Sequence, residues 1–196
     1  MKLKLPVAAL FLFLAAGCAP APPAAKLAQA EPTAQASPPA PPKSESLCAG
    51  RESPLTAPAG YVGDFAEVID EATRRRLEDK LARLEKQANI ELAVVTVETT
   101  GGRDISDYSL SVACGWGLGP PEGEPGGGLL LLLAVKDRKW RVQVSERLRA
   151  DLPDDAVKQI GDRMNPHLRA GDYGRGLETC ADALIARLAE KRNFQP

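Results

Sequence analysis

From residue 61 onward the apolar positions fall into short runs whose spacing changes along the chain. After Asp70, the residues Leu77, Leu81, Leu84 and Ala88 recur at helical spacing, with Arg, Lys and Glu between them. They predict an amphipathic helix capped by Asp70. Residues 91–98 (ELAVVTVE) are rich in β-branched side chains and predict a strand. Asp104 is placed to cap a second helix through Tyr108 and Val112, ended by Gly115, and a Gly/Pro-rich loop follows to residue 128. Residues 128–135 are continuously apolar over the length of one strand, as in a strand buried on both faces. After the polar turn Lys136-Asp137-Arg138, the residues Trp140, Val142 and Val144 alternate with Lys139, Arg141 and Gln143, so the two runs predict a hairpin. A third helix begins near Asp154, buries Val157, Ile160, Met164 and Leu168, is kinked at Pro166 and ends at Gly171. Asp172 caps a fourth helix carrying Tyr173, Leu177, Ala181, Leu184 and Leu188. This order predicts an α/β fold: a small mixed sheet containing one β-hairpin, with helices on both faces.

The pattern before residue 61 is different. Lys2 and Lys4 precede an almost wholly apolar run at residues 5–16, too short to span a bilayer as a helix but of signal-peptide length. It ends in Leu14-Ala15-Ala16-Gly17-Cys18, which looks like the lipobox of bacterial lipoproteins, with Ala15 at the third position before the cysteine. The resemblance implies cleavage after residue 17 and lipidation of Cys18; two or three acyl chains anchor stably where one does not. Ala19, rather than Asp, follows the cysteine, which favours the outer membrane of a Gram-negative envelope. Residues 19–59 hold 10 of the 17 prolines and few large apolar side chains. Such a segment cannot offset its ordering entropy by burial, so residues 18–60 read as a lipid-anchored, Pro/Ala-rich disordered tether. The expected organisation is a signal peptide at 1–17, the tether at 18–60, one domain at 61–188 and a tail at 189–196.

Composition narrows the chemistry. Without Lys2 and Lys4, 23 basic residues face 26 acidic ones, so no basic excess favours nucleic acid as a partner. Beyond Cys18 the cysteines are Cys48, Cys114 and Cys180. Export permits a disulfide, three single pairings are open, and no CxxC pair suggests redox or zinc chemistry. A pair involving Cys48 would staple the end of the tether to the domain. His167 is the only histidine, which excludes a histidine-pair zinc site, and nothing before it resembles a nucleophile elbow. The cluster Gly126-Gly127-Gly128 leads into a strand rather than a helix, so it does not form a phosphate cradle.

Several pieces stand in a recognisable order. They are Tyr61-Val62-Gly63-Asp64-Phe65-Ala66, ELAVVTV, Arg103-Asp104-Ile105-Ser106-Asp107-Tyr108, Trp116-Gly117-Leu118-Gly119, the Gly128-led leucine strand, Asp137-Arg138-Lys139 and Gly171-Asp172-Tyr173. Together, over residues 61–188, they resemble the TPM domain family of bacterial envelope and thylakoid proteins. The resemblance implies a three-layer α/β/α sandwich and, for some members, phosphatase activity with calcium binding. Asp64 and Asp107 match acidic positions of the family and are the metal-ligand candidates this implies, as oxygen donors for a hard cation. Two elements depart from the pattern. Gly126-Gly127 stand where the family commonly has Asp-Asn, and Ser145-Glu146-Arg147-Leu148-Arg149-Ala150 replaces a Gly-rich segment with a Glu, bringing two cations.

The leading reading is a membrane-anchored envelope lipoprotein whose TPM-like domain is a non-catalytic or degenerate interaction module, its partners being the membrane, through its lipid, and an envelope protein. A Ca- or Mg-dependent phosphatase, with Asp64 and Asp107 holding the metal at the substrate phosphate, is the alternative. A purely structural lipoprotein is the third.

Overall fold

The computed structural model describes residues 47–121 and 123–195. The signal peptide, Cys18 and the tether up to residue 46 lie outside the described residues. The elements are β1 (Val62–Asp64), α1 (Glu71–Ala88), β2 (Ile90–Val97), α2 (Ile105–Trp116), β3 (Gly127–Ala134), β4 (Lys139–Val144), α3 (Asp154–Asp162), α4 (Asn165–Arg169) and α5 (Tyr173–Arg192), with a 3-10 turn at Glu146–Leu148. The sheet order is β1-β2-β3-β4; β1, β2 and β3 run parallel, and β3-β4 is the antiparallel hairpin. This is the mixed α/β sheet that the sequence predicts.

Side-chain alternation along β3 divides the interior in two. Leu129, Leu131 and Leu133 join Leu92, Val94 and Val142 in a core covered by α1, α5, α3 and the 3-10 turn. Leu130, Leu132 and Ala134 join Ala93, Val95 and Val97 on the opposite face, beneath Tyr108 and Val112 of α2.

Four local features differ from the sequence expectation. First, β1 is too short to show a period of its own, and its identity as a strand comes from pairing with Val94, Val95 and Thr96. Second, α2 runs past Gly115 to Trp116, and the left-handed Gly117 ends it by donating its N–H to the Cys114 carbonyl at 3.0 Å. Gly115 instead permits a crossing: a Cβ there would sit 2.3 Å from the Ser53 backbone nitrogen. Third, the expected third helix is two helices. Pro166, at the start of α4, cannot continue the α-helical ladder, and the turn between them tightens, with Met164 N–H donating to the Gly161 carbonyl at 3.0 Å. Fourth, the C-terminal helix continues into the expected tail. Arg192 holds Asp151 at 2.7 Å, Asn193 caps the helix in the left-handed conformation, and Phe194 packs against the larger core.

The sequence also places the whole of 18–60 in the tether, whereas residues 47–60 lie against the domain. Cys48 is disulfide-bonded to Cys114 on α2, and Cys180 is free and buried in α5. Leu55 packs on the smaller core, and its carbonyl accepts from the Trp116 indole at 2.9 Å. At the far end of this strap, the Glu78 carboxylate accepts the Tyr61 N–H at 2.8 Å and the Val62 N–H at 3.0 Å. The disulfide and these anchors supply the ordering that composition alone does not.

Candidate functional site

Open α/β sheets take ligands in the crevice outside the carboxyl ends of their parallel strands, where neighbouring connections leave to opposite faces, as α1 and α2 do here. Here that end is organised by register. Asp64, Thr96, Leu133 and Trp140 stand opposite one another across β1, β2, β3 and β4, with their side chains on the face of the larger core. Strand spacing puts Asp64 about 10 Å from Leu133 along this row.

Asp64 has almost no exposed side chain, 1%. Its two oxygens accept the Val68 N–H at 3.1 Å, the Ile69 N–H at 2.9 Å and the Thr96 hydroxyl, and the Arg74 guanidinium stands at 3.4 Å. The carboxylate therefore shapes the β1–α1 connection from within and neutralises a cation. The helix cap itself is Asp70, which accepts from the Thr73 N–H and hydroxyl, and whose carboxyl those bonds hold below its ordinary range. Asp107 is elsewhere, in the first turn of α2. Its side chain is 68% exposed, and its ion partner is Arg51 of the strap at 4.0 Å. Asp64 and Asp107 share no partner, and among the described residues no group of three His, Cys, Asp or Glu side chains converges as a metal site. A calcium ion takes six to eight oxygens, so this donor set does not fit it.

The two departures from the family pattern are filled by the chain itself. Gly126 has φ +113°, and a Cβ on it would fall 1.9 Å from the Asn89 carbonyl oxygen. On Gly127 a Cβ would meet the Leu148 side chain at 2.6 Å, and on Gly128 the Leu118 carbonyl at 2.3 Å. No Asp-Asn side chains have room there. Arg147 donates to the carbonyls of Glu124 at 2.8 Å, Pro121 at 3.1 Å and Pro120 at 3.3 Å, so a guanidinium gathers the loop oxygens. Arg149 pairs with Glu146 at 2.6 Å.

The β3–β4 turn is fixed by Asp137, which accepts the Thr100 N–H at 2.8 Å together with the Thr99 and Thr100 hydroxyls. These bonds, the backbone one foremost, hold its carboxyl below the usual carboxylate range. The next residue, Arg138, is left-handed at φ 54°. Beside it opens a cavity of about 500 Å³, whose wall includes Arg138, Trp140, Asn165, Leu168, Arg169 and Tyr173. Asp137-Arg138-Lys139 and Gly171-Asp172-Tyr173 are separate motifs in the sequence. They meet because α4 is short and turns the chain back at Gly171, a non-local event with no periodic signal. A second, smaller cavity of about 220 Å³ lies beside the disulfide, between α2 and β4.

The TPM domain family matches residues 62–187. Among solved structures, the N-terminal domain of a protein from P. gingivalis is 29% identical, with a TM-score of 0.61, over 69% of this chain and 86% of that one. The N-terminal domain of a Corynebacterium glutamicum protein is 14% identical, with a TM-score of 0.51, over 68% and 85%. The BA42 protein of the psychrophilic bacterium Bizionia argentinensis is 18% identical, with a TM-score of 0.54, over 63% and 83%. The latter two support the fold alone. Comparison with curated proteins found no match.

Proposed function

The chain belongs to the TPM domain family, and from that premise we propose that it is an envelope lipoprotein, anchored through Cys18, whose TPM domain meets a protein partner without phosphatase turnover. The anchoring rests on the apolar run and lipobox at residues 5–18. Among the described residues no helix is long and apolar enough to cross a membrane. A Gram-negative host would carry the protein on its outer membrane, facing the periplasm. The near-neutral charge gives no footing for nucleic acid.

The observation that carries the non-catalytic reading is the state of Asp64. A catalytic or metal-binding carboxylate needs lone pairs open to the ligand, and those of Asp64 are taken by two backbone N–H groups, a hydroxyl and a guanidinium. Arg147, within the second departure from the family pattern, occupies the loop carbonyls just before the first.

Two readouts test the proposal. Fatty-acid labelling marks the wild-type chain and not Cys18→Ser; labelling that ignores Cys18 removes the anchor. Calorimetry with calcium shows no binding below about millimolar, with no hydrolysis of para-nitrophenyl phosphate, and Asp64→Asn costs about 1–3 kcal/mol of stability instead. Micromolar calcium binding lost in Asp64→Asn, with its fold intact, would establish the phosphatase reading in its place.

A further inference from the structure

We propose that the cavity between the β3–β4 turn and the α4–α5 corner binds a small anion carried on an apolar ring or short chain, Arg138 and Arg169 taking the anion and Trp140 and Tyr173 the apolar body. Its volume of about 500 Å³ falls in the range of small-molecule sites. It lies at the carboxyl end of β3, beside the β3–β4 turn.

The charge is directed. Among the described residues neither Arg138 nor Arg169 has a carboxylate within 4.0 Å. The acidic neighbours along the chain are engaged elsewhere. Asp137 is held by Thr99 and Thr100, Asp162 by Lys158 and Asn165, and Asp172 caps α5 by accepting the Arg175 N–H. The arginines are therefore a positive pair without an internal counter-charge, and guanidinium groups suit carboxylate and phosphate oxygens. The Asn165 amide nitrogen is already bonded to Asp162 at 3.2 Å, which leaves its carbonyl as an acceptor at the wall.

Two further observations support a binding role. Arg138 occupies a left-handed turn position where Gly or Asn would be relaxed by roughly 1 kcal/mol, so the fold alone gives no reason for arginine there. Trp140 is braced: a Cβ on Gly161 of α3 would lie 2.1 Å from the end of its ring, so α3 holds the indole in place beside the cavity. Leu133, Val135 and Leu168 complete an apolar lining under the cationic rim. None of this requires turnover, and the inference stands whether or not the domain is catalytic.

The test is an NMR titration of the purified protein with phenyl phosphate and with phenylacetate, and with benzyl alcohol as the neutral counterpart. The expected result is saturable shifts at the Trp140 indole, the Asn165 amide and Gly171 with at least one anion, and weaker or no binding of the alcohol. The stronger of the two anions tells a phosphate ester from a carboxylate. Arg138→Asn keeps the left-handed turn and Arg169→Gln keeps an exposed polar side chain; each weakens binding about tenfold. Equal binding of benzyl alcohol, shifts mapping to another region, or unchanged affinity in both variants would overturn the proposal. So would an absence of saturable binding by either anion at millimolar concentration.

Discussion

Leu129, Leu131 and Leu133 leave the central strand toward a layer that includes α1, α5 and α3, whereas Leu130, Leu132 and Ala134 leave it toward α2 alone and the strap that crosses it. The helices of the first layer also bury one another, and α1 and α5 are clasped at their surface by Arg76, Glu178, Lys80 and Asp182. A single helix cannot cover four strands. The second face is completed by Leu55 and Trp116 and by the Cys48–Cys114 bond, which ties two points 66 residues apart. One face is thus closed by packing and ion pairs, the other by a covalent link to a segment whose composition reads as linker. A domain boundary drawn where the proline-rich composition ends would remove part of the second layer.

The difference is broken most severely at the disulfide. Loop closure over 66 residues contributes about 4 kcal/mol in the chain-entropy account. Cys48→Ser with Cys114→Ser should lower urea stability by an amount of that order, read from the midpoint at unchanged slope. Cys180→Ser is the contrasting substitution. That thiol is buried in α5 and unpaired, its pKa pushed up to about 12 by burial, so the exchange tests only packing on the first face.

A smaller and opposite effect separates the faces by pH. The Arg76 guanidinium bonded to Glu178, with Lys80 beside it, holds the Glu178 carboxyl below the usual carboxylate range, against the opposing pull of burial. Because folding lowers this pKa, the stabilisation is present above the ordinary carboxylate range and is lost as pH falls through the lowered folded value. Glu178→Gln should cost about 1 kcal/mol near neutral pH, since Arg76 is half exposed and partly screened. It should also flatten the acid side of the stability profile. The disulfide variant should keep that acid slope.

The periodic part of the fold was legible in the sequence and the contact-dependent part was not. Asp70, Asp104 and Asp172 announce their helices, and each side chain accepts the backbone N–H bonds of a cap. The continuous leucines of β3 announce a two-faced central strand, and alternation announces β4. By contrast, Gly115 reads as a helix end because a glycine gives the same local signal whether it stops a helix or admits a crossing chain. β1 is invisible because three residues have no period, and residues 47–60 because a disulfide partner lies far along the chain. At the candidate site, Asp64 and Asp107 were legible as carboxylates in family positions. Their engagement was not, since the donors to Asp64 come from its own loop, β2 and α1 at once. Arg138 stands within Asp137-Arg138-Lys139 and Arg169 two residues before Gly171, yet only the turn at α4 brings them to one cavity.

The claim that the two faces are closed by different means is tested most directly by hydrogen exchange on the oxidised and the reduced protein, compared segment by segment at one pH. Reduction should expose the amides of residues 47–60 and of α2 to exchange while α1, α5 and β3 keep their protection. Uniform loss across both faces, or no change in α2, would contradict it.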